Sequence, residues 1–145
     1  RIDVPDAASL RCRKITISVW VFNNNLAKIS QVIYKGSLNA DGEAYSIFYQ
    51  YNYPASGVKI GSNCVTAVGW KGSLFKQQAV QGSWEHLVTT FDGTVYKLYK
   101  NGALDTSMPA AGLIDSCIGG GLRFGFNHTR YIASTGDGCN GVIDE

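Results

Sequence analysis

Residues 83–104, SWEHLVTTFDGTVYKLYKNGAL, leave the chain little choice of local structure. Strand-length runs stop at Asp92-Gly93 and again at Asn101-Gly102. These dipeptides tolerate the positive φ that tight type I′ turns require, and such turns suit the twist of paired strands. The segment therefore reads as strand, tight turn, strand, tight turn and the start of another strand: an antiparallel meander.

The remaining chain follows the same habit. ITISVWVF (15–22) places Ile15, Ile17, Val19 and Val21 on one face of an extended strand, with Thr16, Ser18, Trp20 and Phe22 on the other. Further strand-like runs are SQVIYKG (30–36), EAYSIFYQY (43–51), VKIGSN (58–63), CVTAVGW (64–70), LRFGFNHTR (122–130) and NGVIDE (140–145). The last two flank a polar loop, ASTGDGCNG. No dozen-residue segment carries an uninterrupted helical apolar stripe. With seventeen glycines and short apolar runs, the pattern predicts an all-β, two-sheet antiparallel β-sandwich or jelly roll. At 145 residues a single domain, 1–145, is the simplest organisation.

Composition narrows function by exclusion. A net charge of +2, with the basic stretch Arg11–Lys14 broken by Cys12, offers no electrostatic footprint for nucleic acid. No apolar run approaches the roughly 18 residues that a helical membrane span needs. The chain starts without Met or a charged-then-apolar leader, which reads as a mature form or a piece of something longer. Cys12, Cys64, Cys117 and Cys139 form no CxxC pair, which argues against a zinc ribbon or thioredoxin-type site. They read either as disulfides of an exported protein or as buried thiols, with Cys117–Cys139 the favoured pairing.

EAYSIFYQYNYP (43–54) sets Tyr45, Tyr49, Tyr51 and Tyr53 on alternate positions with Ile47 between them. Four buried phenols on one face would need four buried hydroxyl partners. The stripe is therefore expected to begin in the core at Tyr45 and Ile47, and to run out to the rim at Tyr49, Tyr51 and Tyr53.

GSWEHLVTTFDGTVYKLYKNGAL resembles the signature of laminin-G-like, concanavalin A-like jelly-roll domains, in which Trp-x-His precedes an apolar strand, Asp-Gly and a second strand ending in Asn-Gly. RIDVPDAASL, ITISVWVF and NGVIDE are similar to that family's opening, second-strand and closing segments, in the expected order. The family usually continues past Ile-Asp-Glu, so part of a terminal strand is expected to be missing here. Exposed sheet edges would then invite pairing with a second copy. The resemblance implies a core containing Trp20, Trp84, Leu87, Phe91, Leu98 and Ile143, and a buried structural role for His86.

Catalytic chemistry finds little support. Related glycan hydrolases carry strand carboxylates at i, i+2 and i+4, and retaining hydrolysis needs two carboxylates about 5–5.5 Å apart. Here Asp41-Gly42-Glu43 supplies only two, and Asp144 and Glu145 alternate in direction. His128, in the glycosylation-type tripeptide Asn127-His128-Thr129, has no evident catalytic partner. Calcium is a candidate cofactor, since it takes six to eight oxygens from loops. Asp41, Glu43, Asp137, Asn140 and Asp144 are its candidate ligands, although the same residue types also simply build turns.

The expectation is a non-catalytic, secreted or cell-surface binding module recognising carbohydrate or a protein partner. A purely structural or adhesive domain is the alternative, and a glycan-active hydrolase a third. Sugars stack their C–H faces on aromatic rings and hydrogen-bond to amides and carboxylates. Tyr49, Tyr51, Tyr53, Trp70 and Tyr131, with Asn52, are the candidate ligand-binding residues.

Overall fold

The computed structural model describes residues 2–36, 43–61, 69–125 and 139–144. These residues form two antiparallel sheets that pack face to face. One has six strands, in the order β1 (Ile2–Val4), β10 (Gly121–Phe124), β3 (Ser30–Gly36), β4 (Glu43–Gln50), β5 (Tyr53–Lys59) and β6 (Trp70–Leu74). The other has five, in the order β11 (Gly141–Asp144), β2 (Ile15–Asn23), β7 (Trp84–Phe91), β8 (Val95–Lys100) and β9 (Ala103–Pro109). The all-β antiparallel sandwich expected from alternation is what forms.

The two hairpin signals behave differently. Asn101 and Gly102, with φ of 50° and 83°, close a two-residue turn between the paired Lys100 and Ala103. Asp92-Gly93 does not form the expected two-residue turn, because Phe91 pairs with Tyr96 and the connection is longer. There the Asp92 carboxylate accepts from the backbone N–H of Thr94 and of Val95, each at 2.8 Å, and from the Thr94 hydroxyl at 2.7 Å. Hydrogen bonding to Val95 and Thr94 holds its pKa down at about 2. The aspartate organises this loop through its side chain rather than through positive φ.

Period-2 alternation turns Val19, Val21, Leu87, Phe91, Tyr96 and Leu98 of the five-stranded sheet against Val32, Tyr45, Ile47, Tyr49 and Val58 of the other. Leu87, Leu98 and Ile47 are fully buried, and each such side chain is worth about 1.5–3 kcal/mol of hydrophobic stabilisation. Ile143 packs half-buried against this core. Polar ties also cross the interior. The Tyr96 hydroxyl meets Ser56 Oγ at 2.6 Å and Thr89 Oγ1 at 2.9 Å. Tyr49 donates to Glu85 Oε2 at 3.0 Å, and Glu85 pairs with Lys100 at 2.7 Å, both charged side chains being 4% exposed. At the opposite end, the fully buried Lys35 donates to Asp6 at 3.0 Å and to the carbonyls of Cys117 and Gly120. Hydrogen bonds from Arg11, the Gly119 N–H and Lys35 hold the Asp6 carboxyl well below the usual range.

Four expectations are corrected. Trp20 and Trp84 are not core residues: they lie on the outer face of the five-stranded sheet, 42% and 46% exposed. The alternation that sends Val19, Val21, Glu85 and Leu87 inward necessarily sends both indoles out. His86 shares that outer face and is only half-buried; it stacks on Trp20 with ring centres 4.8 Å apart and bonds Ser18 Oγ through Nε2 at 2.8 Å. These contacts are with the sheet's own residues, outside the interior. Cys139 carries a free thiol, as does Cys12, so the Cys117–Cys139 pairing does not form. Cys117 is itself disulfide-bonded.

Removing one member of a buried ion pair strands the other charge, at about 3–5 kcal/mol, whereas replacing both with apolar groups costs far less. Glu85→Ala is thus expected to lower stability by about 3–5 kcal/mol, and Glu85→Leu with Lys100→Met to recover much of that loss. Urea denaturation of the single and double variants measures both.

Candidate functional site

The inward pointing of Ser56 and Val58 decides which side chains of β5 lie on the sheet's outer face, where Ala55, Gly57 and Lys59 are nonetheless buried. Tyr53, Ala55, Gly57 and Lys59 fall on its outer side. Across the sheet, Gly57 pairs with Ser46 of β4 and Gly72 of β6, Ala55 with Phe48 and Leu74, and Lys59 with Trp70. The Trp70 indole lies over the Gly57–Gly72 pair. A Cβ on Gly57 would sit 2.3 Å from Trp70 Cζ2, and one on Gly72 would sit 2.5 Å from Trp70 Cη2. Both positions therefore need glycine for space. With one ring face seated on backbone, Trp70 remains 43% exposed.

The indole is also held by its edge. Its N–H donates to the Glu43 carboxylate, which accepts a second hydrogen bond from the Ser46 hydroxyl. Burial pushes the Glu43 carboxyl above its ordinary value, while Ser46, Trp70 and the nearby Lys59 charge pull it down less strongly. The outcome is an aromatic plane fixed in position and tilt, with its free face towards solvent.

The tyrosines occupy the other end of β5. Tyr51, 57% exposed, sits in the β4–β5 turn at φ 55°, a left-handed conformation uncommon for a bulky side chain. Tyr53 is half-buried, and its hydroxyl accepts from Gln78 Nε2 at 2.8 Å. The exposed Asn52 offers its carbonyl to Ala79 N–H at 2.7 Å, and Phe75 N–H bonds Pro54 O at 2.9 Å. Loop 75–83 is thereby clipped to the turn. Trp70 and Tyr53 share one sheet face, but Tyr53 lies four residues from Gly57 along β5, ~13 Å away at about 3.3 Å per residue.

Tyr49 does not belong to this set. It is fully buried, with its hydroxyl committed to Glu85, so the stripe leaves the core after Tyr49 and not before it. Tyr131, Asp41 and Asp137, with Asn127, His128 and Cys64, lie outside the described residues. Among the calcium candidates, Glu43 is engaged with Trp70 and Ser46. Asn140 precedes β11 and Asp144 ends it; the two are about 13 Å apart, too far for one ion to take both. No group of three His, Cys, Asp or Glu side chains converges among the described residues. Phe48, Leu74, Gly57 and Gly72 were not anticipated as parts of the site; Trp-x-Gly at 70–72 was its one local trace.

A family model described as the concanavalin A-like lectin/glucanases superfamily matches residues 1–145. No curated protein matches the chain by sequence. Among solved structures, the CBM40 module of a Ruminococcus gnavus IT-sialidase, bound to α2,3-sialyllactose, superposes with a TM-score of 0.72 at 11% identity, covering 94% of this chain and 77% of that one. Domains LG4-5 of the mouse laminin α1 chain give 0.67 at 13% identity, over 97% of this chain and 37% of that one. Domain 4 of AbnA, an extracellular GH43 arabinanase from Geobacillus stearothermophilus, in complex with arabinotriose, gives 0.61 at 16% identity, over 92% and 58%. These likenesses establish a shared fold.

Two measurements probe the geometry. A carboxyl whose folded pKa is raised favours the folded state while protonated, so that contribution is lost as pH rises from the unfolded value through the folded one. The Trp70 indole N–H resonance is expected to titrate with Glu43, with a midpoint above 4.5, and to stop doing so in Glu43→Gln. At Tyr51, glycine would relieve a left-handed strain of about 1–3 kcal/mol at some cost in unfolded-state entropy. Tyr51→Gly is expected to raise stability by up to ~1 kcal/mol in thermal unfolding.

Proposed function

We propose that this chain, which belongs to the concanavalin A-like lectin/glucanases superfamily, is a non-catalytic, extracytoplasmic module that binds carbohydrate on the outer face of its six-stranded sheet. The observation that carries this reading is the seat of Trp70. A tryptophan laid on two cross-strand glycines, locked at its N–H by Glu43 and open on its far face, presents what a pyranose C–H face stacks against. It spends little ordering entropy when the ligand arrives. Tyr53 adds aromatic surface at the far end of the same face, with Tyr51 and Asn52 in the adjoining turn.

Two of the fold neighbours were solved with oligosaccharides bound, which supports a carbohydrate over another small ligand. The Glu43 carboxylate beside Trp70 is spent on Ser46 and the indole; glycoside hydrolysis requires a pair of carboxylates free to act. A second reading, binding of a protein partner or a second copy, is favoured by Trp20, Trp84, Leu104 and Val142, exposed on the five-stranded sheet. The edge strands β1, β6, β9 and β11 could extend such contacts.

A glycan array probed with and without a calcium chelator tests the main reading. The chelator arm is included because Asp41, Glu43, Asp137, Asn140 and Asp144 are the candidate oxygen donors for calcium, although Asn140 and Asp144 cannot serve one ion together. Trp70→Ala is expected to lower affinity for the strongest array ligand at least 10-fold while leaving the fold intact by circular dichroism. Absence of binding to every glycan under both conditions overturns the reading.

A further inference from the structure

We infer that the outer face of the five-stranded sheet is a homodimer interface, occupied by a second copy of this chain packed face to face across a two-fold axis. This gives the second reading above its partner and rests on it; the carbohydrate reading concerns the opposite sheet. The strand register lays the face out in rows. Phe22 pairs with Val142 on one side and Trp84 on the other, and Trp20 with Asp144 and His86. The next row runs through Val88, Tyr99 and Leu104, and Lys97 stands one row beyond, beside Thr90. All of these point outward because Val19, Val21, Leu87, Thr89 and Leu98 take the inner side.

The face has the character of a contact surface. Trp20, Trp84, Leu104 and Val142 are between 42% and 56% exposed, and they share one face rather than lying scattered. Its two indoles are already held. Trp20 stacks on His86, which Ser18 ties in place, and Trp84 tilts against Phe22 with ring centres 5.6 Å apart. Anchors fixed in advance lose little freedom when a partner arrives. Size is adequate too. Five strands at ~4.8 Å span ~24 Å, and Thr16 to Phe22 covers ~20 Å along β2. That footprint can supply most of the ~800 Å² that each partner gives to a standard interface.

Its pattern is complementary to itself. Trp20 and Trp84 occupy one corner of the face, and Tyr99 and Leu104 lie diagonally across from them. A two-fold axis lying in the interface, diagonal to the strands and passing between Ser18 and Val88, sets Trp84 on Leu104 of the second copy and Trp20 on its Tyr99. Both contacts recur on the far side of the axis, as an isologous interface requires. The two sets of strands then cross at roughly 90°, one of the ordinary angles for packed sheets. The same operation carries Lys97 of β8 over Asp144 of the second copy. These two residues are opposite in sign and stand at opposite corners. A second copy therefore brings the charge complement that any other partner would have to supply.

Sedimentation velocity of the intact chain over the micromolar range tests this, with a reversible monomer–dimer equilibrium as the expected result. Leu104→Glu and Trp84→Ala are each expected to weaken the dimer at least 10-fold while circular dichroism stays unchanged. Lys97→Glu, which would set two carboxylates against each other, is expected to weaken it several-fold at low salt and less as salt screens the repulsion. Ile118→Ser removes a 70% exposed apolar side chain that is not on this face, and should leave the equilibrium as it was. A monomer at every concentration, or a dimer indifferent to both Leu104→Glu and Trp84→Ala, overturns the inference. Equal weakening by Ile118→Ser marks unspecific association and overturns it as well. A dimer lost in the two apolar variants but untouched by Lys97→Glu overturns the two-fold placement. Glycan binding is read separately on the array, so none of these results decides the carbohydrate reading.

Discussion

The hydroxyl of Tyr49 reaching Glu85 through the middle of the sandwich is the contact on which the rest of the geometry depends. A strand has a side-chain period of two, so a slip of one residue would exchange its buried and exposed faces. Apolar packing alone tolerates such errors better than a hydrogen bond to a buried charge does. Tyr49 to Glu85, and Ser56 to Tyr96, whose hydroxyl also accepts from Thr89, join β4 and β5 to β7 and β8 with polar contacts that a shifted register would leave unpaired. Once these are made, Phe48, Tyr53, Ala55 and Gly57 have only one side to occupy. The outer face is the complement of the locked interior.

Much of the architecture was legible because it is written locally. Alternation in 15–22 and 84–91, and the Asn101-Gly102 turn, each need only a handful of neighbouring residues to be read. The failures share a cause: they need knowledge of what lies across the sheet. The family resemblance places Trp20 and Trp84 in the core, against an alternation that already separates Trp20 from Val19 and Val21. Glu85 occupies the inward place beside Trp84 because Lys100, fifteen residues on, arrives to neutralise it. A charged residue facing inward cannot be recognised until that partner is known. Tyr49 was pushed to the rim because burying a phenol needs an acceptor, and the acceptor sat on another strand.

The candidate site was legible only in its aromatic parts. Trp70, Tyr51 and Tyr53 stand out by residue type. What makes Trp70 a platform does not: the floor is made by Gly57 and Gly72, brought side by side by the β5–β6 register. Glycine in a strand interior ordinarily weakens it by roughly 0.5–1 kcal/mol. Two of them paired across neighbouring strands suggest close approach by another group, and the indole is that group. Stability is given up locally to hold a side chain flat, and the hydrogen bond to Glu43 then fixes its rotation.

The placement of the three tryptophans has an optical consequence. Trp20 and Trp84 are on one outer face and Trp70 on the other, each between 42% and 46% exposed. The inner positions belong to tyrosine, phenylalanine and aliphatic residues. Indole emission from the folded protein is therefore already that of partly wetted rings, and unfolding has only a modest further red shift to give. Iodide or acrylamide quenching, by contrast, reads the two surfaces directly. A ligand that shields one tryptophan of the three protects about a third of the quenchable signal, while a partner seated on the opposite sheet protects the remainder.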